Sequence, residues 1–96
     1  MAYDFHPDAQ RELEQAVAYY DNIDSELADA FIDEVERTIE RIENFPEAWP
    51  KISENTRRCR TVGFPYGIVY KVKEERILLV AVMHLQRQPN YWDDRI

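Results

Sequence analysis

The chain has 96 residues, room for one hydrophobic core, and carries 12 basic groups against 19 acidic ones, a net charge of −7. Two glycines, Gly63 and Gly67, cannot spell a phosphate-cradling loop, and the single Cys59 excludes an internal disulfide and any Cys-x-x-Cys metal or redox motif. The longest apolar run, Ile77 to Met83, falls far short of the roughly 20 residues of a membrane span, and Met-Ala-Tyr-Asp-Phe does not open like a signal peptide. The expectation is one soluble, cytoplasmic domain over residues 1–96, with no cofactor and, from two unpaired histidines, no metal.

In chain order, Ala2–His6 reads as a brief strand with Tyr3 and Phe5 on one face. Pro7 suits the first turn of a helix, and Ala9, Leu13, Ala16, Val17 and Tyr20 recur at helical spacing as far as Asn22. Asp24 or Ser25 is the natural cap of a second helix after a turn of two or three residues. That helix stripes Leu27, Ala28, Phe31, Ile32, Val35, Ile39 and Ile42, with acids elsewhere on solvated faces. Helices joined so tightly form an antiparallel hairpin. Phe45-Pro46-Glu47-Ala48-Trp49-Pro50 ends the second helix, and Trp49 plugs the core. The period then changes to two, giving strands over Thr56–Val62, Ile68–Lys73 and Arg76–Leu85. Glu74-Glu75 is the only link between the last two, although it lacks the favoured Asn-Gly chemistry. Ile77–Val82, apolar at both parities, marks a central strand covered on both faces. The fold class is α+β, in the order β-α-α-β-β-β, with the hairpin on one face of a small antiparallel-rich sheet.

Charge is unevenly spread along this plan. Residues 1–50 hold three arginines against fourteen carboxylates (−11), whereas residues 51–96 hold nine basic groups against five acidic ones (+4). With Cys59 pointing inward as a buried thiol, Arg58 and Arg60 point the other way; with Ile68, Tyr70 and Val72 inward, Lys71 and Lys73 do too. These four cations collect on the face that the helices leave uncovered, a surface for an acidic or anionic partner. The competing reading makes them strand decoration, with Arg57 bridging to the acidic helices.

Specific words now accumulate: Ala18-Tyr19-Tyr20, Phe45-Pro46-x-x-Trp49-Pro50, Thr56-Arg57-Arg58, Phe64-Pro65-Tyr66-Gly67-Ile68-Val69-Tyr70, Val80-Ala81-Val82-Met83-His84 and Arg87-x-Pro89-x-Tyr91-Trp92-x-x-Arg95. Their order and spacing resemble the RelE/ParE superfamily of type II toxin–antitoxin toxins, closest to the ParE, or plasmid stabilisation, branch. The resemblance implies growth arrest by inhibition of DNA gyrase through protein contact. It also implies neutralisation by a cognate antitoxin, a small ribbon-helix-helix-type protein with an acidic tail. The alternative it implies is a RelE-like, ribosome-dependent mRNA endoribonuclease, for which Arg60, His84, Arg87 and Tyr91 are the candidates. RelE-like enzymes carry an arginine directly after the aromatic that opens the Tyr66–Tyr70 word, and here that residue is Gly67. On the gyrase reading, Arg58, Arg60, Lys71, Lys73, Arg87, Trp92 and Arg95 contact the target, and Tyr19 and Arg57 contact the antitoxin. Two residues stay open between roles. His84 is either a general acid–base or a structural partner of Tyr91 or Trp92, and Trp92 either stacks on a target or covers the core. A net charge of −7 is unusual for a toxin of this kind and keeps a degenerate, non-toxic interaction module in view.

Overall fold

The computed structural model of the chain describes residues 2–96. Strand β1 (Ala2–Phe5) leads into helices α1 (Pro7–Ile23) and α2 (Ser25–Asn44), followed by β2 (Arg57–Arg60), β3 (Tyr66–Lys73) and β4 (Arg76–His84). A 3-10 turn at Asp93–Arg95 ends the tail. The sheet order is β1-β4-β3-β2; β1 runs parallel to β4 and the other pairs are antiparallel.

Local chemistry sets the helix boundaries. Pro7 takes the first helical position, and the His6 Nδ1 accepts the Asp8 N–H at 3.0 Å, so an imidazole caps α1. The two helices then share a single residue. Extended Asp24 donates its N–H to the Tyr20 carbonyl (2.9 Å), closing α1, while its carboxylate accepts the Glu26 N–H (2.9 Å), opening α2. The reversal is therefore one residue long, tighter than the expected two or three.

The main core lies between hairpin and sheet. Ala16, Tyr20, Phe31, Val35, Ile39 and Ile42 meet Cys59, Ile68, Tyr70, Ile77 and Leu79 there. Cys59 is buried, as its strand parity requires, and burial pushes its thiol up out of the reactive range. Trp49 packs against the end of this core. Between Val69 and Tyr70 the β3–β4 register steps by one, leaving Val80 as the extra residue of a bulge. Beyond it, Ala81 and Met83 face away from the helices with Val69. This explains an apolar run at both parities.

Three expectations need correction. The far face of the sheet is not bare: Val69, Val80, Ala81 and Met83 form a second core there, sealed by Trp92 with Tyr91, Leu78 and Ile52 beside it. Strand β2 stops at Arg60, short of Val62, because the Thr61 hydroxyl lies within hydrogen-bond reach of the Phe64 and Tyr66 carbonyls (2.9 and 3.0 Å) and Gly63 turns the chain at φ +81°. Third, the helical acids are not all solvated. Glu34 is only 7% exposed. Its Oε2 accepts the Val62 N–H at 2.7 Å, the Arg41 guanidinium at 2.7 Å and the Thr38 hydroxyl at 3.2 Å, tying α2 to the loop after β2.

Two predictions follow from these local structures. Burial would raise the Glu34 carboxyl, but the bonds from Val62, Arg41 and Thr38 outweigh it and hold it below its ordinary value of 4.5. A depressed carboxyl contributes stability above about pH 4.5, lost as pH falls through its folded-state value. Denaturant titrations of Glu34→Gln should thus show a lower midpoint at pH 7 and a shallower fall towards pH 3 than the parent chain. Glu74 and Glu75, at φ 53° and 63°, occupy the left-handed conformations of a two-residue type I′ turn, costly for side-chain-bearing residues. Replacing the pair by Asn-Gly should raise unfolding free energy by about 1 kcal/mol.

Candidate functional site

Sheet register decides where the basic groups lie. Arg58 sits opposite Val69, Arg60 opposite Gly67, Lys71 opposite Leu78 and Lys73 opposite Arg76. All four are therefore on the face turned from the hairpin, beside the second core. Among the described residues none of them is within 4.0 Å of a carboxylate. A Cβ at Gly67 would lie 2.9 Å from the Arg58 Cδ and 3.0 Å from its Cγ, so the Arg58 stem crosses the glycine. The space that an arginine after Tyr66 would need thus belongs to Arg58. Arg58 and Arg60 line, with Trp49, Pro50 and Ile52, a concavity of about 420 Å³.

A second constellation forms where β1 ends. Past Phe5 the edge of β4 has no neighbouring strand, and side chains complete it. Glu12 of α1 accepts the Val82 N–H through Oε1 at 3.0 Å. The Arg95 Nη1 donates to the Val80 carbonyl (3.1 Å) and to Glu12 Oε1 (2.9 Å), and its Nη2 to Oε2 (3.1 Å). The Glu12 and Arg95 side chains are 11% and 10% exposed. Such a bidentate pair fixes both orientation and charge. Arg87, more open, reaches Glu12 Oε2 at 3.5 Å and lies 3.6 Å from the centroid of the Tyr91 ring.

These contacts reassign several residues. Trp92, left open between touching a target and covering the core, is wholly buried in the second core. Arg95, also expected at a target, spends its donors on Glu12 and Val80. Tyr91 is half-buried between Arg87 and Arg95; burial first, and then the Glu12 carboxylate, push its phenol well above the usual tyrosine range. Arg57 does not bridge to the helices: its Nη1 donates to the Glu47 and Trp49 carbonyls (3.1 and 2.7 Å), holding the connection from α2 to β2.

His84, Arg87 and Tyr19 do come together. With Gln15, Val82 and Tyr66 they line a cleft of about 210 Å³ between α1 and the end of β4. The His84 ring stands edge-on to Tyr66 (5.2 Å between centroids), and its Nδ1 accepts the Gln86 N–H at 3.1 Å; it bonds neither Tyr91 nor Trp92. Tyr19 is 61% exposed and leans on Tyr20. Arg60, the remaining ribonuclease candidate, does not line this cleft.

Glu12 and Glu34 escaped the sequence reading, yet both fall on the apolar stripe: Glu12 between Ala9 and Ala16, Glu34 between Phe31 and Thr38. An acid at i+3 from one core position and i−4 from the next is the signal that could have found them. Arg95→Ala would strand the buried Glu12 carboxylate and the Val80 carbonyl. It should cost about 3 kcal/mol in denaturant unfolding, and Arg95→Lys, which cannot bond both oxygens in the same plane, should recover only part.

Among the described residues no group of three or more His, Cys, Asp or Glu side chains could hold a metal ion, and no helix is long and apolar enough to cross a membrane. A family model described as the ParE toxin of type II toxin-antitoxin system, parDE, matches residues 3–89. No curated protein matches the chain. Among solved structures, a chain described as "Chromosomal ParDE TA system from P. aeruginosa" superposes with a TM-score of 0.71 at 14% identity, covering 90% of this chain and 97% of that one. At that identity the likeness speaks for the fold.

Proposed function

This chain belongs to the ParE toxin family of type II toxin–antitoxin systems, and we propose that it acts as a toxin that inhibits DNA gyrase by protein contact and is neutralised by a cognate antitoxin. The observation that carries the reading is the unpaired group Arg58, Arg60, Lys71 and Lys73 on the far face of the sheet, in a protein whose net charge is −7. Cations left without internal carboxylates keep their full charge for an anionic or acidic surface, and act at short range where bulk attraction is absent.

The endoribonuclease reading draws on His84 and Arg87, which share one cleft. Cleavage of RNA also needs a second proton-transfer group and cations for the phosphorane. Tyr91 is withdrawn into the tail, Arg95 is spent on Glu12, and glycine stands at position 67. Contact inhibition asks for none of these. It asks for a rigid surface, and the sheet supplies one.

Purified protein should inhibit gyrase supercoiling and leave mRNA on translating ribosomes intact. The double variant Arg58→Glu/Arg60→Glu should lose at least about tenfold in inhibition with little change in melting temperature, since neither side chain is ion-paired in the fold. Ribosomal mRNA cleavage that Arg87→Ala abolishes, with supercoiling untouched, would overturn the gyrase reading. Neither activity and no growth arrest would identify a non-toxic interaction module.

A further inference from the structure

The edge of β4 beyond β1 is only partly completed by Glu12 and Arg95. The Leu85 N–H donates to the Pro65 carbonyl at 2.9 Å, which makes 65–85 a hydrogen-bonded pair of the antiparallel ladder. The alternate pairs Tyr66–His84 and Ile68–Val82 are then the non-bonded kind, so the backbones of Val82 and His84 point away from β3, towards the open edge. The bond from the Val82 N–H to Glu12 agrees with this. Four polar groups face the edge in this stretch. Glu12 takes the Val82 N–H, and the Arg87 N–H takes the His84 carbonyl at 3.0 Å. The Val82 C=O and the His84 N–H are left, with no partner among the described residues.

Those two groups have a defined complement. An antiparallel neighbour needs the N–H and C=O of one residue, and at both Val82 and His84 one of the two is taken. A parallel neighbour instead bonds the C=O of one residue and the N–H of the residue two further on, through a single residue of its own. Val82 and His84 offer that arrangement. The cleft over them is walled by Tyr66 and Tyr19, apolar surfaces for the residues flanking the docked one. A strand parallel to β4 runs towards Arg87. The nearest carboxylate to Arg87, Glu12, is 3.5 Å away and already committed to Arg95 and Val82, so the guanidinium keeps capacity for an incoming acid.

Resting on the toxin–antitoxin reading above, we infer that this edge docks one residue of an extended, acidic segment of the antitoxin, parallel to β4, through the Val82 C=O and the His84 N–H, with a carboxylate further along the segment paired to Arg87. The mode is strand addition confined to one residue, because Glu12 and the turn after His84 close the edge on either side.

The test is amide hydrogen exchange, resolved by residue, on the toxin alone and on its complex with the full-length antitoxin co-expressed from its own locus. The His84 amide should slow by at least about tenfold in the complex, while that of Val82, already bonded to Glu12, changes much less. Arg87→Gln, which removes the charge without setting a second carboxylate beside Glu12, should weaken antitoxin binding by about tenfold, as expected for one charge-assisted hydrogen bond. A complex in which His84 exchanges as in the free chain overturns this inference and leaves the toxin–antitoxin reading standing. Failure to form any complex overturns both.

Discussion

A strand in the middle of a sheet has to satisfy its backbone on both sides, and in this protein one side runs out of strand. β1 covers β4 only as far as Leu79. Just past that point the Val80 C=O and the Val82 N–H, left without side-chain partners, would be desolvated beside α1, at a cost comparable to that of losing the hydrogen bonds outright. Glu12 and Arg95 stand in for the missing strand, offering an acceptor to Val82 and a donor to Val80. Because one partner comes from the first helix and the other from the last residues, this single repair also fixes the tail, brings Trp92 onto the far face and sets Arg87 on the Tyr91 ring.

Glu34 solves a similar problem at the other end of the hairpin, where the N–H of Val62 follows the short strand β2. In both places a helix carboxylate accepts from strand-side backbone and is neutralised by an arginine. The heavy acidity of residues 1–50 therefore has two parts. Most of it is solvated surface, and two acids are structural cement. Arg41, Arg57 and Arg95 are held by internal bonds, whereas among the described residues Arg58, Arg60, Lys71 and Lys73 on the far face have no carboxylate within 4.0 Å.

The elements that repeat were legible in the sequence, and those that depend on a distant partner were not. Both helices, their hairpin, the central strand and the side to which Arg58 and Arg60 turn follow from periods of 3.6 and 2, which act within a few residues. The internal bonds of Arg95 and the burial of Tyr91 went unread, and Trp92 stayed open between two roles, because the tail has no period. What buries Arg95 is a carboxylate 83 positions earlier, and nothing near either residue announces the pairing. Arg57 is similar: its partners are carbonyls of the Glu47–Trp49 segment, invisible to any pattern of side chains. The shortfall at the candidate site has the same origin. Its residues were named, but which of them were already spoken for was a question of tertiary contact.

The one-residue reversal at Asp24 has a mechanical consequence. A backbone unit that terminates one coil and begins the next has no slack, so α1 cannot slide along α2 or rotate against it without breaking both terminal turns. The paired helices must travel as one stiff arm. Any protein that grips Tyr19 on that arm pulls through Glu12 on the edge of the sheet and through Glu34 on the loop after β2 together, so a grip at the surface is felt at two anchor points in the interior.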